Sequence, residues 1–302
     1  MAHTAAPLRI RGRYNATPSS KIKFEQLNAV PLSGPVRLHC HVLLSRAILR
    51  RSGRIEHLRG IAAAGFRYVE LSAVPGWTEH VDLDTPPEEI RRKVDRYGLE
   101  AVSLSAHSDL TTPEGVEHGI KAVRWAAEYG IPVVNTAVGG HQSADENEAA
   151  FLGEIGRLAD AAEEAGVKVG LEIHGDIMAS SDVTLQLLDK IGRDSIGVNY
   201  DTANVEFYSG DRAVDDLPKI VDRLVHVHLK DTVGGKGNWN FPAIGDGTVD
   251  FGRVLQILRD GGYSGPFAVE LEFQGEPWPP LEEVDDAMRR SYEQLRAAGY
   301  DE

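Results

Sequence analysis

The chain has 302 residues, of which 42% are hydrophobic and 26% are charged, and this balance predicts a globular protein with a large buried core. The formal net charge of −14 argues against nucleic-acid backbones and anionic membranes as partners, because both repel an acidic surface. Cys40 is the only cysteine, which excludes an intrachain disulfide and a cysteine zinc cluster.

The first 35 residues show no sustained helical or strand period and contain Pro7, Pro18, Pro31 and Pro35. We expect them to form an N-terminal extension on the protein surface, where a contact in a homo-oligomer is one role left open. The chain shows neither the apolar segment of a signal peptide nor the roughly 18 apolar residues of a membrane span. A cytoplasmic location is therefore expected.

From Val36 onward, short apolar runs alternate with longer amphipathic ones, and the apolar runs predict eight strands buried on both faces. A glycine followed by an apolar residue shortly precedes several of these runs, as at Gly65-Phe66 and Gly130-Ile131. Glycine readily adopts the left-handed conformation that ends a helix, so these pairs predict helix ends. The predicted strands are VRLHCH (36–41), YVELSA (68–73), AVSLSAH (101–107), PVVNTAV (132–138), VKVGLEIH (167–174), IGVNYD (196–201), LVHVHLKD (224–231) and FAVELEF (267–273).

Strand–helix units in series, joined by right-handed crossovers, close most simply into a (β/α)8 TIM barrel. A doubly wound open sheet is the alternative, but it would usually carry a GxGxxG turn after its first strand, and this sequence has no such turn. No linker is recognisable. The sequence therefore predicts an α/β protein with a single barrel domain over residues 36–302, preceded by the extension over residues 1–35.

Metal-binding side chains occur near the C-terminal ends of four successive predicted strands, the fifth to the eighth. They are Glu172, Asp201, His228 and Glu270. The chemistry of a TIM barrel takes place at this end of the strands, so we expect the four groups to lie close together. Three carboxylates and one imidazole suit Mn²⁺ best, with Mg²⁺, Co²⁺ or Zn²⁺ as alternatives. Separate helix caps and salt bridges are the structural alternative, but four consecutive strand ends favour one metal site.

Two of these assignments have a neighbour on the same face of the strand. His226 and His228 are two residues apart, and we favour His228 because the strand ends there. Glu270 and Glu272 are also two residues apart, and periodicity alone does not separate them.

From about residue 36 to its end, the chain resembles the xylose isomerase-like barrel superfamily of sugar isomerases and epimerases. Four motifs carry the resemblance: LEIHG (171–175), VNYDTAN (198–204), HVHLKD (226–231) and GYSGPFAVELE (262–272). The resemblance implies one divalent metal held by Glu172, Asp201, His228 and Glu270. It thereby selects Glu270 over Glu272 as the ligand.

Three positions depart from the ketose 3-epimerases within this superfamily. Met178 stands where those enzymes carry a glutamate, Asn204 where they carry a histidine, and Gly234 where they carry an arginine. The resemblance therefore implies a different sugar-binding shell. Abasic-site endonucleases share the barrel but have a further metal histidine at the position of Asn204, which together with the acidic charge argues against a nuclease.

Further residues are predicted near the mouth of the barrel. His141 follows the fourth strand and is a candidate general base, with a solvated loop histidine as the alternative. His107 could bind a substrate hydroxyl or be a hydrogen-bonded rim residue. His174 shares a face with Glu172 and is expected to contact substrate or a metal ligand. Glu70, near the end of the second strand, is predicted to be a rim or substrate-binding residue.

Lys230 either holds a substrate oxygen or pairs with Asp231, and pairing is the favoured alternative. Asn204 is counted among the substrate-binding residues. Residues 234–247 form a glycine-rich loop that either cradles a phosphate or acts as a mobile lid. Trp239 lies in this loop, and an aromatic face stacks well on a sugar ring; Trp77 and Trp278 lie in other loops on the same rim.

These observations predict a metal-dependent isomerase or epimerase of a keto sugar, a sugar phosphate or a cyclitol. Glu172 or Glu270 would remove a proton next to the carbonyl, the other would return one, and the metal would stabilise the enediolate between the two steps. The alternative is a lyase that dehydrates a keto sugar or cleaves a 3-oxo-glycoside by β-elimination, with His141 or Glu270 as base. A carbohydrate-binding barrel without metal or catalysis is the third hypothesis.

Overall fold

Eight parallel strands close into a barrel around the core. The structure is a computed structural model, and it describes residues 38–42, 56–74, 78–139, 144–274 and 278–300. A further short strand, β3, pairs antiparallel with β2 outside the barrel. The strands are β1 (Leu38–Val42), β2 (Tyr68–Val74), β3 (Thr78–Glu79), β4 (Glu100–Ser105), β5 (Val133–Thr136), β6 (Lys168–Glu172), β7 (Ile196–Asp201), β8 (Leu224–Leu229) and β9 (Phe267–Leu271).

The barrel closes because β1 pairs in parallel with both β2 and β9. The remaining barrel strands pair in chain order, from β2 with β4 to β8 with β9. The predicted TIM barrel is thus confirmed. The predicted end of β7 at Asp201 is also correct, whereas β6 ends at Glu172, two residues before the predicted end at His174.

Helices connect the parallel strands on the outside of the barrel. None of the helices in the described part of the chain is long and apolar enough to span a bilayer. The α-helices are α1 (Glu56–Ala64), α2 (Pro87–Asp95), α3 (Pro113–Tyr129), α4 (Ala144–Ala165), α5 (Ser181–Ile191), α6 (Asn204–Tyr208), α7 (Ala213–Asp216), α8 (Phe251–Asp260) and α9 (Leu281–Ala297).

Local sequence signals set the ends of these helices. Thr112 caps α3 by accepting a hydrogen bond from the Gly115 amide at 3.1 Å. At the other end Gly130 adopts a left-handed conformation with φ of 92°, and the following Ile131 is buried. This is the helix end that the glycine–apolar pairs predict. Asp250 caps α8 in the same way, by accepting from the Arg253 amide at 2.9 Å.

The interior of the barrel is polar below its mouth. Barrel interiors are usually filled by branched apolar side chains. Here five polar side chains with no solvent exposure occupy this region instead: Glu70, Ser103, Asn135, Asn199 and His226. Buried polar groups are costly unless they are hydrogen-bonded to one another, so this layer depends on close and specific contacts.

Gly170 of β6 leaves room for this polar layer. A Cβ atom at position 170 would lie 2.7 Å from Asn135 Oδ1 and 3.2 Å from Asn199 Cβ. We therefore expect Gly170→Ala to lower the free energy of unfolding by about 1–3 kcal/mol, as other overpacking substitutions do. The measurement is urea unfolding followed by circular dichroism.

Gly153→Ala in α4 is the matched control, because an added Cβ atom there meets nothing within 4 Å. Alanine is the better helix former, so this variant should gain up to about 1 kcal/mol. Equal unfolding midpoints for the two variants would contradict the tight packing inferred around Gly170.

Candidate metal centre

The structure brings together the four side chains that the sequence predicts as metal ligands. Glu172, Asp201, His228 and Glu270 each offer one ligand atom, and these atoms all lie within 4.8 Å of one another. Their strands, β6 to β9, are consecutive parallel neighbours, and Asp201 pairs with His228 in register. The exposed fraction of each of the four residues is 6% or less, so the cluster lies at the bottom of the barrel mouth.

Three buried carboxylate oxygens in this cluster, Glu172 Oε2, Asp201 Oδ2 and Glu270 Oε2, have no well-aligned hydrogen-bond donor. Imidazole nitrogens lie 2.9 Å from Glu172 Oε2 and 3.2 Å from Glu270 Oε2, and Lys230 Nζ lies 3.6 Å from Asp201 Oδ2. Buried carboxylate oxygens that are not fully hydrogen-bonded are costly, and native structures rarely leave them so. Three such atoms from three neighbouring strands, next to an imidazole, fit a divalent cation that prefers oxygen ligands.

The two carboxylate oxygens of Asp201 differ in their hydrogen bonding. Oδ1 accepts hydrogen bonds from the amides of Ala203 and Asn204, both at 2.8 Å, and so fixes the turn into α6. Oδ2 is the oxygen without a hydrogen bond, and it faces the cluster at 3.6 Å from Lys230 Nζ. One oxygen thus orients the side chain while the other remains available to a cation.

The electrostatic surroundings shift the pKa values of the three carboxyl groups in different directions. Burial alone would raise the pKa of Glu172, but His107 and His228 hold it well below its usual value. Burial is likewise outweighed at Glu270, where Lys230 and His228 lower the pKa. At Asp201 burial dominates and raises the pKa well above its usual value, with Lys230 opposing it. Asp201 therefore holds its proton most strongly when no cation is bound.

His228 contacts the ligand cluster through one nitrogen and the polar layer through the other. Its Nδ1 lies 3.2 Å from Glu172 Oε1 and 3.2 Å from Glu270 Oε2. Its Nε2 lies 2.9 Å from Glu70 Oε1. His226 lies deeper in the barrel, where it contacts Ser103 and Asn199. Its position agrees with the preference for His228 as the ligand.

Glu70 is not a rim residue, and this prediction is wrong. Its side chain is fully buried and contacts His226, His228 and Asn135. The depth was misjudged, because β2 continues four residues beyond Glu70 to Val74, which places Glu70 well below the mouth of the barrel.

Lys230 pairs with Glu272, and the favoured pairing with Asp231 is wrong. The ammonium group contacts Glu272 Oε2, lies 3.6 Å from Glu270 Oε2 and donates to Asn204 Oδ1 at 3.2 Å. Burial would lower the pKa of Lys230, but Glu270 and Glu272 hold it well above its usual value. Glu272 was missed as a site residue, although its spacing of two from Glu270 already placed it on the same face.

Asp231 instead organises the long loop after β8. Its two carboxylate oxygens accept four backbone hydrogen bonds, from the amides of Thr232, Gly245, Gly247 and Val249, at 2.8–3.1 Å. The loop is thus tied at both ends to one buried side chain. Lys236, the cation of the predicted phosphate cradle, is exposed and is not among the residues that line the cavity over the cluster.

A cavity of about 140 Å³, open to solvent, lies over the cluster. His107, His174 and Asn204 line it, as predicted for substrate-binding residues. His107 Nε2 lies 2.9 Å from Glu172 Oε2. Asn204 donates to Glu172 Oε1 at 3.2 Å and so links that carboxylate to Lys230.

Aromatic side chains form one wall of this cavity. Trp239 lines it, as predicted, and is 40% exposed. The cavity is also lined by Phe207, Tyr208 and Phe241, which were not predicted from the sequence. The ring of Phe207 packs against those of Trp239 and Phe241, with centroids 5.7 and 5.8 Å away. Such a wall can stack on the apolar face of a sugar ring.

Three features of the sequence analysis lie outside the described residues. These are the extension over residues 1–35, the candidate base His141 and the rim residue Trp77.

Comparison with known proteins agrees with this geometry. An L-ribulose-5-phosphate 3-epimerase from Salmonella typhi is 29% identical over 234 residues, which cover 72% of this chain and 81% of that protein. This relative is an epimerase by description, which supports the predicted enzyme class and gives the lyase alternative no support.

Solved structures share the fold. A xylose isomerase domain protein from Planctomyces limnophilus superposes with a TM-score of 0.71 at 19% identity, covering 88% of this chain and 98% of that one. A D-allulose 3-epimerase from Methylomonas sp., in complex with D-allulose, gives 0.68 at 22% identity, with coverages of 87% and 97%. A sequence profile of the xylose isomerase-like TIM barrel family matches residues 58–295. The chain belongs to this family.

Proposed function

We propose that this protein is a divalent-metal-dependent epimerase or isomerase of a sugar that carries a carbonyl group. The observation that carries the proposal is the convergence of three buried carboxylates and His228 from four neighbouring strands, with ligand atoms within 4.8 Å of one another at the bottom of an open cavity. Glu172, Asp201, His228 and Glu270 would hold the cation, and Mn²⁺ suits this donor set best. When bound, it would polarise the substrate carbonyl and clamp its adjacent oxygens.

Two of the carboxylates are suited to proton transfer. Glu172 and Glu270 line the cavity, and the pKa of each lies below its usual value, so both are ionised at neutral pH, the form that a general base requires. They project from β6 and β9, which flank the other two ligand strands. One would remove the proton next to the carbonyl and the other would return it from the opposite side, which inverts the carbon.

Other residues of the cavity would orient the substrate. Lys230 is a buried cation beside Glu270, where it can donate to an oxygen that becomes negative as the proton is removed. Its contact with Glu272 fixes the ammonium group in place. The aromatic wall of Phe207, Trp239 and Phe241 would stack on the ring or chain carbons and help to exclude water.

The names of the similar proteins suggest three chemically distinct probes: L-ribulose 5-phosphate, D-allulose and a 3-keto-glucoside. The third comes from an E. coli 3-keto-D-glucoside 4-epimerase. Its structure gives a TM-score of 0.66 at 17% identity, over 87% of this chain and 99% of that one.

Incubation of each probe with the enzyme and Mn²⁺ in D₂O tests the proposal. Proton removal and return at the epimerised carbon must introduce deuterium from solvent there, which proton NMR detects as the loss of one carbon-bound signal. We expect exchange with at least one of the three probes, and the pattern across them identifies the substrate class. Absence of exchange and of any isomeric product with all three would contradict the proposal.

A further inference from the structure

Glu70 is a buried carboxylate that takes no direct part in the proposed proton transfer or metal binding. Oε1 lies 2.9 Å from Nε2 of the metal-site imidazole, His228. Oε2 accepts a hydrogen bond from Asn135 Nδ2 at 2.5 Å and lies 3.1 Å from His226 Nε2. Glu70 has no solvent exposure, so these contacts take place in a region of low dielectric constant.

The contact at Oε1 determines which nitrogen of His228 carries the proton when a cation is bound. When Glu70 is ionised, His228 Nε2 is the donor of this hydrogen bond, because an ionised carboxylate only accepts. The lone pair of the neutral ring is then on Nδ1. That is the nitrogen that lies 3.2 Å from both Glu172 Oε1 and Glu270 Oε2, on the side of the ligand cluster.

The strand pairing is irregular next to Glu70 and Asn199, the two residues of the polar layer that contact His228. The pairing of β2 with β4 shifts register between Val69 and Glu70, and that of β7 with β8 shifts between Val198 and Asn199. Irregularities of this kind redirect side chains and occur often next to active sites. Asn199 lies with Nδ2 3.2 Å from His228 Nδ1 and with Oδ1 2.9 Å from His226 Nδ1.

We infer that Glu70 is a positioning residue for the metal ligand His228, an inference that rests on the proposed metal-dependent function. Glu70 fixes the ring orientation, keeps the proton on Nε2 and leaves Nδ1 to the cation. A carboxylate behind a metal-binding imidazole also makes that ligand more basic. His226 and Asn135 in turn hold Glu70 from the side away from His228.

The test is the affinity of Glu70→Gln for Mn²⁺, measured by isothermal titration and by the electron paramagnetic resonance signal of free Mn²⁺. Glutamine retains the size of the side chain but replaces one carboxylate oxygen with a donor and removes the charge. We expect Mn²⁺ to bind about 10–100-fold more weakly, the range that the loss of such partners produces. Affinity within about 2-fold of the wild type would overturn the inference.

Asp216→Asn is the matched control for a buried carboxylate. Asp216 is also fully buried, and it accepts hydrogen bonds from the amide and hydroxyl of Ser181 and from the hydroxyl of Tyr200. This variant should lower the unfolding midpoint and leave Mn²⁺ affinity unchanged. Equal losses of Mn²⁺ affinity in both variants would show a general structural effect and would also overturn the inference.

A measurement on the unmodified chain keeps the inference testable if Glu70→Gln does not fold. In protein labelled with ¹⁵N and loaded with Zn²⁺, the nitrogen spectrum of His228 should show a proton on Nε2 and the metal on Nδ1. The reverse assignment would overturn the inference while leaving the metal site intact. A wild type that binds no divalent cation would instead overturn the proposed function, and this inference with it.

Discussion

Asp201→Asn should lower Mn²⁺ affinity by at least about 100-fold, because the loss of a ligand should exceed the effect of losing a ligand's outer partner. Asparagine can still accept the two backbone hydrogen bonds from Ala203 and Asn204 through its single carbonyl oxygen. Its amide group then replaces Oδ2, the oxygen that faces the cluster without a hydrogen bond. The substitution therefore removes a metal ligand and preserves the turn into α6. Isothermal titration gives the affinity, and the unfolding midpoint reports on the fold.

Asp231→Asn separates this effect from the general cost of altering a buried aspartate at the mouth. Both oxygens of Asp231 accept backbone hydrogen bonds, so asparagine would place a donor against two amides. We expect this variant to lose stability while its Mn²⁺ affinity stays within a few fold of the wild type. Mn²⁺ binding by Asp201→Asn at wild-type strength would show that Asp201 is not a ligand.

Glu270→Gln should lower turnover by about 10²–10⁴-fold at saturating Mn²⁺, the usual contribution of a positioned general acid or base. Glutamine occupies almost the same volume but accepts no proton. Saturation with Mn²⁺ matters because Glu270 is also a proposed ligand. Its loss should weaken Mn²⁺ binding as well as slow the proton-transfer step. The measurement is the initial rate of deuterium exchange with the substrate that the D₂O experiment identifies.

Glu272→Gln is the matched control, since both glutamates line the cavity and both contact Lys230. Glu272 is not among the four residues of the ligand cluster, so its loss should disturb the position of Lys230 and reduce turnover to a smaller extent. Mn²⁺ affinity should be nearly unchanged. A larger loss of turnover in Glu272→Gln than in Glu270→Gln would show that Glu272, and not Glu270, transfers the proton.

The ligand cluster could be predicted from sequence because each of its members follows from a local pattern. An apolar run predicts a buried strand, and a polar side chain at its end predicts a group at the mouth of the barrel. Asp201 is the clearest example, since its strand is buried throughout and ends at this residue. The choice of Glu270 over Glu272 needed the family resemblance, because both residues have the same periodicity.

The contacts behind the cluster could not be predicted in this way, because they join strands that are far apart in the sequence. Glu70 and His228 are separated by 158 positions, and their contact depends on the closure of the barrel, which no local pattern in the sequence shows. Lys230 was paired with its neighbour Asp231, since a local partner is the simplest expectation. In the closed barrel Lys230 instead contacts Glu272, which follows the neighbouring strand β9. Asp231 turns towards the loop after β8.

Anomalous X-ray scattering from crystals soaked in Mn²⁺ tests the central claim most directly. Data collected at the manganese edge should show one strong peak within about 2.0–2.4 Å of ligand atoms from Glu172, Asp201, His228 and Glu270, the distances usual for oxygen and nitrogen ligands of such ions. No peak at this position, or a peak that only surface carboxylates contact, would contradict the account.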